Sequence, residues 1–449
     1  MTDGGEGGVA WSPDGKFLAV SDRSSPQDPS SVFLLSTETG EKRKLTSPAS
    51  HYFGDAWPAF SPDGRTLAFF RRTIPIGIGD VYIVTIDFQG KPEREPRPLV
   101  KGSNNSVPGW TPDGRSILYD SAGVLWRVPL SGGEPERLEA GGDGASRPSV
   151  SSLGAGNTWR LVFQRTIVDT NVWRIPGPAA REKAAPAKWI ASTRMDVAPQ
   201  YSPDGKRIAF ASNRTGNLEI WACDSEGRNP VQLTSWAAQD KGSPRWSPDG
   251  RWIALDVIQD RQRDIYVVAG EGGFSRRLTS EPTNEVRPSW SQDGRWVYFA
   301  SNRTGDWQVW KVPAEGGPAV QVTRNGGRQA FESPDGTFVY YAKFPPAAGI
   351  WRVPASGGEE TQVLDQGMQG GWAITSLGIF FFDLTATPGP AIQLFDPTTR
   401  RLARVAQLPA GTTIRTPENY LAVSSDARSI LYAQVDQTES DILMLDNFR

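Results

Sequence analysis

Side chains able to do chemistry are few in this chain. It holds one histidine, His51, and one cysteine, Cys223. Histidine titrates near neutrality and can serve as a general base. His51 lies in Ser50-His51-Tyr52-Phe53-Gly54-Asp55-Ala56-Trp57, with no second histidine to orient it, and reads as polar loop surface. A zinc site built on two or three histidines is excluded, as are a multi-cysteine metal site and an internal disulfide framework. Cys223, in Trp221-Ala222-Cys223-Asp224, reads as a small buried hydrophobe on a strand. There is no Gly-x-Ser-x-Gly nucleophile elbow and no Gly-x-x-x-x-Gly-Lys-Ser/Thr phosphate loop. No catalytic residue, metal ligand or cofactor is therefore assigned, and the chain is read as a non-enzyme.

What recurs is an aspartate. Ser-Pro-Asp-Gly stands at 12–15, 61–64, 202–205, 247–250 and 333–336. Close variants are Thr111-Pro112-Asp113-Gly114, Ser291-Gln292-Asp293-Gly294 and Ser424-Ser425-Asp426-Ala427, with weaker copies at Ser152-Leu153-Gly154 and Ser376-Leu377-Gly378. A catalytic group is rarely needed eight times; a turn is. Proline pre-sets φ at the first central position, aspartate bonds the local backbone, and glycine takes the left-handed position. An aromatic precedes most copies, as at Trp11, Phe60, Trp110, Tyr201, Trp246 and Trp290, and a β-rich run follows, as in Arg295-Trp296-Val297-Tyr298-Phe299. Each motif is thus the tip of a β-hairpin. A third strand such as Val309-Trp310-Lys311-Val312 and a short fourth such as Gln321-Val322-Thr323 complete the unit.

Four short antiparallel strands repeated about every 40–50 residues are the mark of propeller blades. The fold expected is all-β, a β-propeller of about ten four-stranded antiparallel blades. The last repeat, Tyr420 to Phe448, reads as three strands and lacks a fourth, which Lys188-Trp189-Ile190-Ala191-Ser192 can supply. That divides the chain into a partial N-terminal array over 1–186 and a closed six-blade ring over 187–449. Loops between the second and third strands, and from each fourth strand to the next blade, then share one face. Candidate binding residues on that face are His51, Tyr52, Asp55, Arg214, Trp236, Asp240, Asn284, Glu285 and Arg303.

These repeats resemble the TolB-like family of bacterial β-propellers, whose WD40-like units carry the same Pro-Asp-Gly turn. The likeness extends to Ala211-Ser212-Asn213-Arg214-Thr215-Gly216, repeated at 300–305. It runs toward the C-terminal propeller regions of bacterial membrane-linked serine/threonine kinases and winged-helix regulators, whose endings are similar to Ser440-Asp441-Ile442-Leu443-Met444-Leu445-Asp446-Asn447-Phe448-Arg449. The resemblance implies a sensing or interaction module that meets a protein, peptide or small ligand at the loop face or central channel. The alternative is a propeller-type carbohydrate-active enzyme, a lyase or hydrolase.

Composition narrows the partners. With 48 basic and 50 acidic residues the net charge is −2, without the basic face a nucleic-acid binder needs. No apolar run approaches the roughly 20 residues of a membrane helix, so neither nucleic acid nor membrane insertion is expected. The opening Met1-Thr2-Asp3-Gly4-Gly5-Glu6-Gly7-Gly8 has neither the basic nor the apolar region of a signal peptide. A cytoplasmic location is expected for a complete chain, and a periplasmic one for the tail of a membrane receptor.

Overall fold

At each Ser-Pro-Asp-Gly motif the chain reverses through the same set of bonds. At Ser202, the hydroxyl donates to Asp204 Oδ1 at 2.6 Å and accepts the Arg207 N–H at 2.9 Å, while Asp204 Oδ1 also accepts the Lys206 N–H at 3.1 Å. Gly205 takes φ 69° and donates to the Ser202 carbonyl at 2.9 Å. The hydroxyl–aspartate bond recurs at Ser12, Ser61, Thr111, Ser247, Ser291, Ser333 and Ser424. These bonds favour the ionised carboxylate. The serine bond foremost holds Asp204 below its ordinary pKa, and bonds from Ser333 and Thr337 take Asp335 down to about 2. The repeated aspartates are spent on the turns. In the last copy Ala427 occupies the glycine position at φ 53°.

This computed structural model describes residues 8–25, 28–49, 52–72, 78–104, 107–121, 123–152, 159–182, 184–236, 240–259, 262–343, 348–366, 371–414 and 421–448. Among them the fold is all-β, with many four-stranded antiparallel sheets and a single 3-10 turn at Glu139–Gly141. No helix among them is long and apolar enough to cross a membrane. The chain divides into two units, 1–167 with 438–449, and 168–437. The boundary expected at 186/187 falls inside the second.

The N-terminal unit has four sheets in sequence. The first is Val9–Trp11, Phe17–Asp22, Ser31–Ser36 and Lys42–Lys44; the second is Gly54–Phe60, Thr66–Arg72, Ile78–Thr85 and Arg97–Asn104. The third is Gly109–Trp110, Ser116–Ser121, Val124–Pro129 and Glu136–Arg137. Ala145–Ser152 and the 159–167 and 438–448 stretches of two long strands form the fourth. Apolar faces of successive sheets pack together. Ala19 and Leu34 meet Leu67 and Phe69, Phe70 and Ile83 meet Trp110 and Tyr119, and Leu118 and Leu125 meet Leu161 and Phe163.

The C-terminal unit has six blades. Blade I is Asp196–Tyr201, Arg207–Thr215, Asn217–Asp224 and Val231–Gln232; blade II is Lys241–Trp246, Trp252–Gln259, Gln262–Ala269 and Ser275–Arg277. Blade III is Glu285–Trp290, Trp296–Thr304, Asp306–Pro313 and Val320–Gln321; blade IV is Arg328–Glu332, Phe338–Lys343, Gly349–Pro354 and Thr361–Leu364. Blade V is Trp372–Thr375, Gly378–Asp383, Ala391–Asp396 and Arg401–Gln407.

Blade VI is assembled from both ends of the unit. Ala422–Val423 pairs with the 429–437 stretch, which lies beside the 168–176 stretch, which pairs in turn with Ala187–Ile190. The reading of three strands in the last repeat is corrected here. Ser429–Phe448 is one strand rather than two, and the third place in the blade goes to residues 168–176, where Val172 and Ile175 are buried. No glycine or proline interrupts 434–443, and the strand runs on through it. Clusters of buried side chains join each blade to the next. Ile220 meets Trp246, Ile265 meets Val297, Val309 meets Tyr341, Ile379 meets Tyr340, Phe380 meets Ile430, and Leu431 meets Phe210. The sixth cluster returns to blade I, so the ring closes.

Candidate functional site

The first strand of each blade is innermost. Those strands touch across blades I–II, II–III, III–IV, V–VI and VI–I, and so line the axis of the ring. Each of the first four carries a β-bulge at its entry, which shifts the register between Val197 and Gln200, Gly242 and Arg245, Val286 and Ser289, and Arg328 and Ala330. A bulge re-aims a side chain and bends its strand. Here the bulged residue is not glycine, yet its φ is positive: 53° at Ala198, 54° at Ser243, 59° at Arg287 and 45° at Gln329. A non-glycine residue there carries a backbone strain on the order of 1 kcal/mol. Proline follows in three of the four, as Pro199, Pro244 and Pro288. Asp256 of blade II holds one bulge in place, accepting the Arg287 N–H at Oδ2 at 3.1 Å and the Arg263 guanidinium at Oδ1 at 2.5 Å.

The N-terminal unit repeats the device at Trp57, φ 51°, and Arg147, φ 53°, each again before proline. Asp120 accepts the N–H of Arg147 at 3.2 Å and of Val107 at 3.1 Å. Burial pushes its carboxyl up to about 6 against the pull of these donors.

Several residues expected on exposed loops are structural bolts instead. Asp55 begins the inner strand Gly54–Phe60, is wholly buried, and binds Arg71 through two bonds of 2.7 and 2.9 Å. Glu285 begins the inner strand of blade III, also wholly buried, and accepts from Thr283 at 2.7 Å and Ser301 at 2.9 Å. Burial pushes its carboxyl up. Arg214 does not extend from its turn. Its side chain, 17% exposed, reaches Asp196 at 2.7 Å and lies over the rings of Phe210 and Trp221. Arg303, 15% exposed, does the same with Glu285 at 3.3 Å, over Phe299 and Trp310. The reason is common to all three blades: an inner strand starts with a carboxylate out of water, and a buried charge needs a partner.

The others are divided. Trp236 packs in the blade I–II cluster beside Tyr266, with Lys241 over its ring at 5.3 Å. Asp240 accepts the Leu218 N–H at 3.3 Å. Asn284 accepts the Arg263 N–H at 3.2 Å, and its own N–H donates to Asn302 at 3.0 Å. Tyr52 is half-buried beneath Arg71, and His51 lies outside the described residues. Tyr52 and Asp55 belong to the N-terminal unit, whereas blades I–III hold Arg214, Trp236, Asp240, Asn284, Glu285 and Arg303. Cys223 is buried, which pushes its thiol up to about 12. Among the described residues no three His, Cys, Asp or Glu side chains converge as a metal site would require. Sequence reasoning missed the bulge residues. A signal was present in three of the four ring blades, as the X-Pro pairs Ala198-Pro199, Ser243-Pro244 and Arg287-Pro288 shortly before Tyr201, Trp246 and Trp290.

The fold defines the class: an all-β, multi-blade propeller. Residues 237–371 match the family described as the TolB beta propeller domain. An uncharacterised protein of Agrobacterium fabrum is 26% identical over 178 residues, 38% of this chain and 57% of that protein. The uncharacterised peptidase YuxL of Bacillus subtilis is 38% identical over 97 residues, 19% of this chain and 14% of that protein. The crystal structure of TolB from Acinetobacter baumannii aligns over 76% of this chain and 82% of its own at 14% identity, with a TM-score of 0.43. The chain thus spans just over half of the first relative's length and a seventh of the second's.

Proposed function

We propose that the chain is a non-catalytic binding module of the TolB-like propeller type, which holds a protein or peptide segment at the loop face and axial opening of its six-blade ring. The observation that carries this reading is the inner-strand bulge. The scaffold around it recurs from blade to blade, but the bulged residue itself changes from alanine to serine to arginine to glutamine. Strained backbone persists where surrounding structure over-determines it, and such positions gather at ligand sites. Ser243 and Arg287 are half-buried at the lining of the axis. We further place the module in a signalling receptor, as the propeller regions of membrane-linked kinases and winged-helix regulators are, with no cofactor in its action.

The test is a peptide array probed with the whole protein and with Ser243→Trp, which obstructs the opening. Binding that Ser243→Trp removes at an unchanged melting temperature supports the reading. Hydrolysis of the peptides, or new ultraviolet absorbance from uronic-acid oligosaccharides, would replace it with an enzymatic one.

A further inference from the structure

Blades I to IV repeat one detail at the hairpin tips, the other end of the inner strands from the entry bulges. The residue that opens the second strand donates its N–H to the tip serine: Arg207, Trp252, Trp296 and Phe338 in turn. In three of these blades a cation meets an aromatic ring there. Arg207 lies over Trp246 at 4.5 Å, and crosses to blade II to reach Glu271 at 2.7 Å and the Gly270 carbonyl at 3.1 Å. Lys311 lies over Trp296 at 4.9 Å, and Arg352 over Phe338 at 4.3 Å. Blade II departs from the pattern. Lys311 and Arg352 stand opposite Tyr298 and Tyr340 on the neighbouring strand, whereas the matching place, opposite Ala254, holds the wholly buried Val267. Among the described residues the half-buried Trp252 ring meets Phe274 edge-on at 5.8 Å and no lysine or arginine.

Where the other junctions hold a cation, the junction of blades II and III holds a cavity of about 210 Å³. Trp252 and Trp290 wall it, and Asp249, Asp293 and Glu315 line it. Its two lining arginines are drawn to the rim. Arg251 is held by Asp249 at 2.6 Å, and Arg276 by Glu315 at 2.9 Å and the Ala314 carbonyl at 2.6 Å. Arg276 thus makes to blade III the bonds that Arg207 makes to blade II, without covering a ring. Asp293 meets Arg295 only at 3.5 Å, through a side chain 81% exposed. The face of an indole attracts a cation through its quadrupole, and carboxylates beside it strengthen that attraction. A cationic side chain entering the cavity would complete the contact that three neighbouring blades make for themselves.

We propose that this cavity receives a lysine or arginine side chain of a partner protein, in the way Arg207, Lys311 and Arg352 fill their own places in the ring. The site is separate from the axial opening and does not depend on what that opening holds. The probes are hexalysine, hexaarginine, hexaglutamate and cellohexaose, titrated calorimetrically into the whole protein. The two cationic peptides should bind. Trp252→Arg, which installs the residue blade I uses, should fill the cavity from within and cost about tenfold in affinity. Trp252→Phe, which keeps a π face, should retain most of the affinity. Trp252→Leu, which keeps apolar packing against blade III but no π face, should lose about as much as Trp252→Arg. The contrast of phenylalanine with leucine holds even where the arginine variant loosens the blade. Equal affinity in Trp252→Phe and Trp252→Leu, or cationic binding undiminished in Trp252→Arg, would overturn the ring as the platform. Binding of hexaglutamate or cellohexaose that Trp252→Arg removes would overturn the cationic assignment and give the cavity to an anion or a sugar. Absence of binding by all four probes would overturn the site.

Discussion

The two units are built from the same repeat and end differently. In the C-terminal unit six apolar junctions join six blades, and the last junction returns to the first blade. In the N-terminal unit four sheets share three such junctions among the described residues. The consequence shows at the margins. Val9 and Trp11, on the first strand of the first sheet, are 65% and 63% exposed, as are Ile442 and Met444 on the fourth sheet at 79% and 56%. In the ring, the equivalent aromatic Trp246 is 4% exposed and Trp290 is 9%. The same hairpin that is half-solvated at the edge of an array becomes core once a neighbour covers it. Blade burial is thus a property of the array rather than of the repeat.

The comparison breaks most sharply at a junction. Trp372→Ala, at a wholly buried side chain edge-on to Phe331 at 4.8 Å, should cost about 3–5 kcal/mol. Hydrogen exchange should report that loss across the ring but not over residues 9–150. Trp11→Ala, at the open margin, should stay within about 0.5 kcal/mol. Similar losses for the two would refute the contrast.

Next in size is the buried ion pair of the N-terminal unit. Asp55→Ala leaves the Arg71 guanidinium without its buried carboxylate and should cost about 3 kcal/mol or more. Arg214→Ala in the ring should cost less, because Arg214 makes one bond to the buried Asp196 where Arg71 makes two to Asp55. Urea titrations of the two variants check the order.

Asp120 sharpens the comparison through pH. Its folded pKa of about 6 lies above the ordinary value, so the fold holds the protonated form better than the unfolded chain does. The stability this contributes is complete below about pH 4 and is lost as pH rises through about 6, with a ceiling of about 3 kcal/mol. The protection of the 107–121 amides, relative to their intrinsic base-catalysed exchange, should therefore fall across that window, and Asp120→Asn, which keeps the oxygen that accepts from Val107 and Arg147, should flatten the profile. A flat profile in the parent would remove Asp120 as the cause.

The smallest effects are at the hairpin tips. Ser247→Ala removes bonds to Asp249 and the Trp252 amide and should cost about 1 kcal/mol. Ala427→Gly, in the closing blade, relieves a left-handed alanine and should stabilise the ring by about 1 kcal/mol or less. Differential scanning calorimetry resolves both signs.

Hairpin tips, strand order within blades and the all-β class follow from the sequence by itself, because each rests on local chemistry. A serine, an aspartate and a glycine within four residues make the same bonds wherever they occur. Residues 187–190 do form an edge strand of the last blade, but they pair with 172–174 rather than with the end of the chain. What only the tertiary structure decided is which side chains are free. Arg214, Arg303, Asp55 and Glu285 look like loop charges in one dimension. They are ion-pair bolts in three, because the inner strands start in a water-poor ring where a lone carboxylate is costly. Likewise 429–448 reads as two strands until its partners are seen, and the residue aimed at the axis is set by a bulge whose left-handed backbone depends on the neighbouring blade to hold it.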